Sequence, residues 1–283
     1  METVQKATVE MLSAPETIFI SEIPPRGIAV VGDIHFAVLP RIGWSNIGVQ
    51  SVERFSRLFQ ADIIVLNGDT FDLTIQPDLQ SIVKHVKDVF YLFEREILQG
   101  SLKRVIILGG NHDPLDLIAH LKATFWFLEV GENVVIGNDY LRIEHGHQIV
   151  AAPIGEDRLL EVRVRLGSGG VLHQMLGKLT GQMLQRRYGI PAMIGNLYIG
   201  QAITDSRLPL RLKARMVSVN QPLIEDAAGR PYTWNIFGHT HSRMLDLVAG
   251  VANPGSFSAT PGMKNKFFAV YIYPNGEVDL VEY

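Results

Sequence analysis

The chain of 283 residues contains no cysteine. Disulfide bonds and thiolate zinc sites are therefore excluded, and any bound metal must be held by oxygen atoms and imidazole nitrogens. The chain also lacks any apolar run of about 18 residues, the length that a transmembrane helix needs. Its polar first residues lack the basic and apolar regions of a signal peptide. These absences predict a cytoplasmic protein without a transmembrane segment.

The charge of the chain is small overall but uneven along the sequence. The formal net charge is −3, whereas residues 156–215 contain ten basic and four acidic side chains and so carry +6. A local positive field on an otherwise acidic protein indicates an anionic substrate or surface, and a solvated helical face is the alternative. We expect Arg158, Arg163 and Arg165 to bind substrate, and we consider nucleic acid an improbable partner.

Three apolar runs of strand character are each followed within a few residues by side chains that bind metals. The groups that follow them are Asp33 and His35, then Asp69, then Asn111, His112 and Asp113. Short apolar runs are typical of parallel strands buried on both faces, and ligands bind beyond the carboxyl ends of such strands. Two further pairs, His145 with His147 and His239 with His241, follow segments that could be strands. The pattern predicts a hydrolytic site with two metals.

The types of side chain in this pattern favour particular metals. Asp33 and His35 are two residues apart, so in an extended backbone both would point the same way and could share one cation. Asp69 could bridge two cations with its two oxygens, and either His145 or His147 could supply an imidazole nitrogen. Mixed nitrogen and oxygen ligation suits Mn²⁺, Fe or Zn²⁺.

Periodicity and chain breakers predict an α/β fold of one domain over residues 1–283. Helices are predicted over 45–59 and 78–98, and Asp113 is predicted to cap a further helix that begins at Pro114. Alternating runs at 267–273 and 278–283 flank Pro274, Asn275 and Gly276 and predict a terminal hairpin. Residues 148–231 do not continue this alternation of strands and helices, and they are predicted to form a mostly helical cap insertion with an apolar stripe.

Five motifs occur in one order that is specific to a known family. They are Gly32-Asp33-Ile34-His35, Gly68-Asp69, Gly110-Asn111-His112-Asp113, His145-Gly146 and Gly238-His239-Thr240-His241. In these motifs the chain resembles the calcineurin-like metallophosphoesterases. The resemblance implies a four-layer α/β/β/α sandwich that holds two divalent transition-metal ions, with manganese favoured over iron and zinc.

The resemblance also implies a role for each motif residue. One metal would be held by Asp33, His35, Asp69 and His241, and the other by Asp69, Asn111, His145 and His239. His112 would stabilise the transition state or protonate the leaving oxygen, with Asp113 holding its other ring nitrogen. Asn67 and Asp72 would contact these side chains and orient them without binding a metal. A hydroxide that bridges the two metals would attack a phosphodiester or pyrophosphate bond.

Within that family, the insertion and the sequence Gly68-Asp69-Thr70-Phe71-Asp72 resemble the UDP-2,3-diacylglucosamine pyrophosphatases. This likeness implies a nucleotide-sugar lipid as substrate and peripheral contact with a membrane through the insertion. The chain departs from that group at His147, where an aspartate is usual. The alternatives are a nuclease or cyclic-nucleotide phosphodiesterase of the same fold and a non-catalytic scaffold. The insertion offers only Tyr188 and Tyr198 for base stacking, and a scaffold would usually lack His112 or several ligands.

Overall fold

The computed structural model describes residues 17–39, 44–45, 49–73, 78–137, 141–146, 233–239, 243–247, 250–257 and 267–283. The first strands are β1 (Thr17–Ile20), β2 (Ile28–Val31), β3 (Val38–Leu39), β4 (Trp44–Ser45), β5 (Ile63–Asn67), β6 (Arg104–Leu108) and β7 (Leu128–Gly131). The later strands are β8 (Asn133–Ile136), β9 (Leu141–Glu144), β10 (Trp234–Ile236), β11 (Met244–Asp246), β12 (Val251–Asn253), β13 (Phe268–Ile272) and β14 (Val278–Glu282). The described helices are α1 (Val49–Ser56), continued by a 3₁₀ turn (Arg57–Gln60), α2 (Leu79–Leu98), α3 (Leu115–Ile118) and α4 (Leu121–Thr124).

The strands form two six-stranded sheets and one small hairpin. The first sheet has the order β14-β13-β2-β5-β6-β7, and the second has the order β1-β8-β9-β10-β12-β11. In the first sheet β2, β5, β6 and β7 run parallel, while β13 is antiparallel to β2 and β14. In the second sheet β9, β10 and β12 run parallel. Strands β3 and β4 pair with each other.

The two sheets pack face to face, and the helices cover the outer face of the first. Alternate residues of β2, such as Ile28 and Val30, join Ile143 and Ile236 of the second sheet in one buried core. The intervening Ala29 and Val31 lie in the other core, beneath α2. This arrangement confirms the predicted α/β sandwich. The predicted cap at 148–231 lies outside the described residues. Among the residues that are described, no helix is both long and apolar enough to cross a membrane.

The local predictions had mixed outcomes. The helix over 78–98 is confirmed: α2 begins after Asp78, whose carboxylate accepts the backbone N–H of Ser81 at 3.3 Å. The terminal hairpin is confirmed as β13 and β14. The helix over 45–59 was predicted to begin too early, because Ser45 pairs in β4. The predicted cap by Asp113 is wrong, since its carboxylate binds backbone elsewhere and α3 begins after Pro114.

Candidate metal centre

The expected site residues follow the carboxyl ends of strands in both sheets. Strands β2, β5 and β6 are parallel neighbours, and Asp33, Asp69 and Asn111 follow their ends within three residues. Strands β9 and β10 are parallel neighbours in the second sheet, and His145 and His239 follow them. The site therefore lies where the ends of the two sheets meet, and the apolar core between the sheets holds them together.

Asp69 is the centre of the cluster. Its Oδ2 lies 3.2 Å from His145 Nε2, 3.8 Å from His35 Nε2 and 4.0 Å from His112 Nε2. Its Oδ1 instead accepts the backbone N–H of His112 at 2.8 Å. The three imidazoles thus face a single oxygen. Asp69 Oδ2 is therefore the oxygen of this carboxylate that lies nearest to the candidate imidazole ligands.

His145 and Asn111 meet on one side of Asp69. The Nε2 atom of His145 is 3.2 Å from Asn111 Oδ1, and its Nδ1 atom is 2.9 Å from the backbone carbonyl of Asn67. The ring of His239 lies edge-on to that of His145, with 5.3 Å between the centroids. Asp69, His145 and His239 place ligand atoms within 4.8 Å of one another, which is close enough to hold one cation.

His35 and His112 lie on the other side of Asp69. Their rings are perpendicular with centroids 4.8 Å apart, and together with Asp69 they form a second group whose ligand atoms lie within 4.8 Å of one another. Asp33 is fully buried and accepts the backbone N–H of His239 through Oδ1 at 3.0 Å. This hydrogen bond connects the first sheet to the second.

The backbone carries strain at the expected ligands. Among the described non-glycine residues, those with positive φ are Asp33 (51°), His35 (52°), Asp69 (49°) and His239 (63°). Every one is an expected metal ligand, and such conformations cluster at functional sites. The premise that Asp33 and His35 lie in extended chain is therefore wrong. Strand β2 ends at Val31, and the left-handed backbone conformations of Asp33 and His35 set the directions of both side chains.

Two glycines leave room for this cluster. A Cβ on Gly110 would lie 2.2 Å from Asp69 Oδ1 and 2.4 Å from its backbone nitrogen. A Cβ on Gly68, which has a φ of +71°, would lie 2.4 to 2.6 Å from atoms of the His145 ring. Glycine is therefore required at both positions, since distances under 3.0 Å force a neighbour to move.

The partner of His112 differs from the prediction. Asp113 was expected to hold the second ring nitrogen, but its carboxylate accepts the backbone N–H groups of Asp69, Phe71 and Gly110 at 2.8, 2.9 and 3.1 Å. It therefore shapes the loops that carry the site. The Nδ1 atom of His112 lies 3.1 Å from Asp72 Oδ1 instead. The sequence placed Asp72 in the motif Gly68-Asp69-Thr70-Phe71-Asp72 as a supporting residue but did not assign it to His112.

The charges of the cluster are strongly coupled. Burial raises the pKa of Asp69, but the neighbouring imidazoles, led by His145, outweigh burial and hold that pKa well below its usual range. Burial is likewise outweighed at Asp72, where His112 and His35 hold the pKa well below normal. Burial and the charge of Asp69 raise the pKa of Asp113 well above normal. For His145, burial lowers the pKa, but Asp69 raises it to about 9.

These residues fit a divalent transition metal. Carboxylate, amide oxygen and imidazole donors lie close together on buried residues, and glycine at position 110 avoids a clash with the Asp69 carboxylate. Imidazole with carboxylate suits zinc, iron and manganese. Five further predicted or alternative site residues lie outside the described residues: His147, Arg158, Arg163, Arg165 and His241.

The chain belongs to the calcineurin-like phosphoesterase family, whose model matches residues 27–172. The matched range contains the site residues from Asp33 to His145. A solved structure of a candidate diadenosine tetraphosphatase is similar over 95% of this chain and 98% of its own, with 13% identity and a TM-score of 0.35. That likeness is too low to bear on the substrate. No match was found among curated proteins.

Family membership and the His/Asp cluster together define the protein class. The chain is a phosphoesterase of a metal-dependent family, and its described residues contain two groups able to hold a metal.

Proposed function

We propose that this protein hydrolyses a phosphodiester or diphosphate bond with two divalent cations bound side by side. The observation that supports this most directly is the environment of Asp69 Oδ2. Imidazole nitrogens from three separate loops lie within 4.0 Å of that one buried oxygen. Asp69 also belongs to both groups of possible metal ligands, as a residue shared by two neighbouring cations would.

The ligands divide between the two sides of Asp69. The first cation would be held by Asp33, His35, Asp69 and His241, and the second by Asp69, Asn111, His145 and His239. The position of His145 beside Asn111 supports its choice over His147. Manganese is the proposed native metal, with iron and zinc as alternatives. When bound, such cations polarise phosphoryl oxygens and activate water for attack.

His112 is the proposed acid of the reaction. Its Nε2 faces the cluster at 4.0 Å from Asp69 Oδ2, and its Nδ1 is held by Asp72. The Asp72 carboxylate stabilises the protonated imidazole, so that His112 can give a proton from Nε2 to the departing oxygen. Asp113 acts only through the loops that it organises.

The proposed substrate is a nucleotide-sugar diphosphate with acyl chains, such as UDP-2,3-diacylglucosamine. This part of the proposal is supported by sequence alone: the net charge of +6 in residues 156–215 suits a diphosphate, and the apolar stripe beside it suits acyl chains. Arg158, Arg163 and Arg165 are the proposed contacts. A cytoplasmic location with peripheral membrane contact belongs to the same proposal.

Metal content and turnover of Asp69→Asn test the dinuclear site. The unsubstituted protein should carry close to two transition-metal ions per chain, and the variant should lose most of both the metal and the activity. Asp62→Asn is the matched control, because Asp62 is also buried, at 3% exposure, but pairs with Arg26 and Lys103 at the opposite end of β5. It should keep both metals even if its stability falls.

The substrate is tested by a turnover screen of the manganese-loaded protein. The compounds are UDP-diacylglucosamine, a cyclic nucleotide, an aryl phosphodiester and single-stranded DNA. Preference for the first supports the proposed substrate, whereas preference for the cyclic nucleotide or DNA replaces it and leaves the site intact. A fully active protein with one metal ion would overturn the dinuclear proposal.

A further inference from the structure

Asn67 connects the two sheets at the metal centre. It is the last residue of β5, is fully buried, and belongs to the first sheet. Its side-chain Nδ2 donates to the backbone carbonyl of Glu144, the last residue of β9 in the second sheet, at 3.0 Å. Its own backbone carbonyl lies 2.9 Å from His145 Nδ1. One residue therefore contacts both the backbone before His145 and the ring of His145.

The contact of the Asn67 carbonyl with Nδ1 determines which nitrogen of His145 faces the cluster, while the amide contact with Glu144 fixes the strand end that carries the ring. A carbonyl oxygen can only accept a hydrogen bond, so Nδ1 must carry the proton. In the neutral ring Nε2 is then left with the lone pair that a metal needs. This is the atom that lies 3.2 Å from both Asp69 Oδ2 and Asn111 Oδ1.

The position of the ring is also restricted on a third side. Gly68 directly follows Asn67, and the His145 ring packs so closely on it that a Cβ would overlap the ring. The backbone of residues 67 and 68 therefore supports the ring, while the Asn67 amide restrains the strand end from which the ring projects.

We propose that Asn67 is a positioning residue, which sets the tautomer of His145 and the depth at which its Nε2 meets the second cation. The proposal rests on the proposed function, since it requires a cation at His145. Removal of a group that hydrogen-bonds a metal ligand and orients it typically lowers metal affinity by about 10- to 100-fold. A residue that merely tied the sheets together would change stability alone.

The first test is calorimetric titration with Mn²⁺ of Asn67→Ala and of the isosteric Asn67→Asp. Both variants should bind one of the two ions about 10- to 100-fold more weakly than the unsubstituted protein. Asn235→Ala is the matched control, because Asn235 is a buried asparagine, 3% exposed, in the neighbouring strand β10. It should leave both affinities unchanged, whatever its effect on the melting temperature.

The second test is the ¹⁵N spectrum of the histidines in the zinc-loaded protein, with His145→Gln to assign the signal. The unsubstituted protein should show a slowly exchanging proton on Nδ1 of His145, and this proton should exchange faster in Asn67→Asp. A proton on Nε2 of His145 in the unsubstituted protein overturns the proposal. This measurement does not depend on whether the Asn67 variants fold.

The outcomes separate this inference from the proposed function. If the unsubstituted protein binds no cation at His145, the proposed function fails. If it binds two cations and the Asn67 variants bind them equally well, only the positioning role is overturned.

Discussion

Replacement of His112 by alanine should slow hydrolysis while the metals stay bound. Loss of a general acid commonly costs about 10²- to 10⁴-fold in rate. Metal retention is expected because His112 holds Asp69 Oδ1 through its backbone N–H, at 2.8 Å, and alanine keeps that donor. The loss should therefore fall on kcat, with elemental analysis still giving two ions per chain.

Loss of the contact between Asp72 and His112 should reduce the rate of hydrolysis by a smaller factor. Asp72 Oδ1 lies 3.1 Å from His112 Nδ1 in a buried environment. A hydrogen bond to a charged group contributes about 1.5–3 kcal/mol, which corresponds to roughly 10- to 150-fold in rate. Asp72→Asn should therefore cost less than His112→Ala. If Asp72 acts through His112 alone, the double variant should be no slower than His112→Ala; a further loss would report the contact of Asp72 with His35, whose Nδ1 lies 3.6 Å from Asp72 Oδ2.

The assay compares an alkyl and an aryl phosphodiester. An alkoxide needs a proton to depart whereas an activated phenolate does not, so His112→Ala should affect the alkyl ester far more. Equal losses on both esters would refute proton donation and leave His112 as an electrostatic group. Loss of one metal would show that His112 is a ligand, as its grouping with His35 and Asp69 permits.

Three further predictions concern the site and its surroundings. Gly68→Ala should sharply reduce metal affinity, measured by calorimetry, whereas Gly100→Ala should not: both glycines have positive φ, but a Cβ at Gly100 would meet nothing within 4 Å. Asp69 raises the pKa of His145 to about 9, so a cation must displace the imidazole proton at neutral pH. Metal affinity should therefore rise about tenfold per pH unit from pH 7 to about 9 and then level off. An affinity that does not change with pH would contradict this. Arg163→Glu combined with Arg165→Glu should raise KM for the native anionic substrate but not for a small aryl ester, and equal effects on both would assign these arginines to the fold.

The strands that carry the site were predictable because each is a short, continuous run of apolar residues, which is typical of a buried parallel strand. The apolar runs before Asp33, Asp69 and Asn111 are the parallel neighbours β2, β5 and β6, and all their central residues are buried. Parallel strands place their carboxyl ends at one edge, so the proximity of the following residues could be inferred without a structure.

The conformations of the loops were not predictable in this way. The positive φ of Asp33 and His35 arises from contacts across the sheet, such as the hydrogen bond from the His35 backbone N–H to the Asp69 carbonyl at 2.8 Å. The exchange of roles between Asp72 and Asp113 has the same origin. Asp113 lies beside His112 in sequence, but its carboxylate accepts backbone N–H groups of Asp69 and Phe71 from the loop after β5, and of Gly110 from its own loop. Sequence spacing carries no information about such distant donors.

The pairing of β13 with β2 has a consequence for how the protein matures. Val270 of β13 pairs with Val30 of β2 across 240 residues, and the His239 backbone reaches Asp33 across 206. Pairings this distant form slowly, because a long loop must close before they contribute. An intermediate that contained only β2 to β7 would lack His145 and His239. The cation held by His145 and His239 would therefore stabilise the finished two-sheet structure and not such a precursor, so that uptake of this cation would mark a late step of folding.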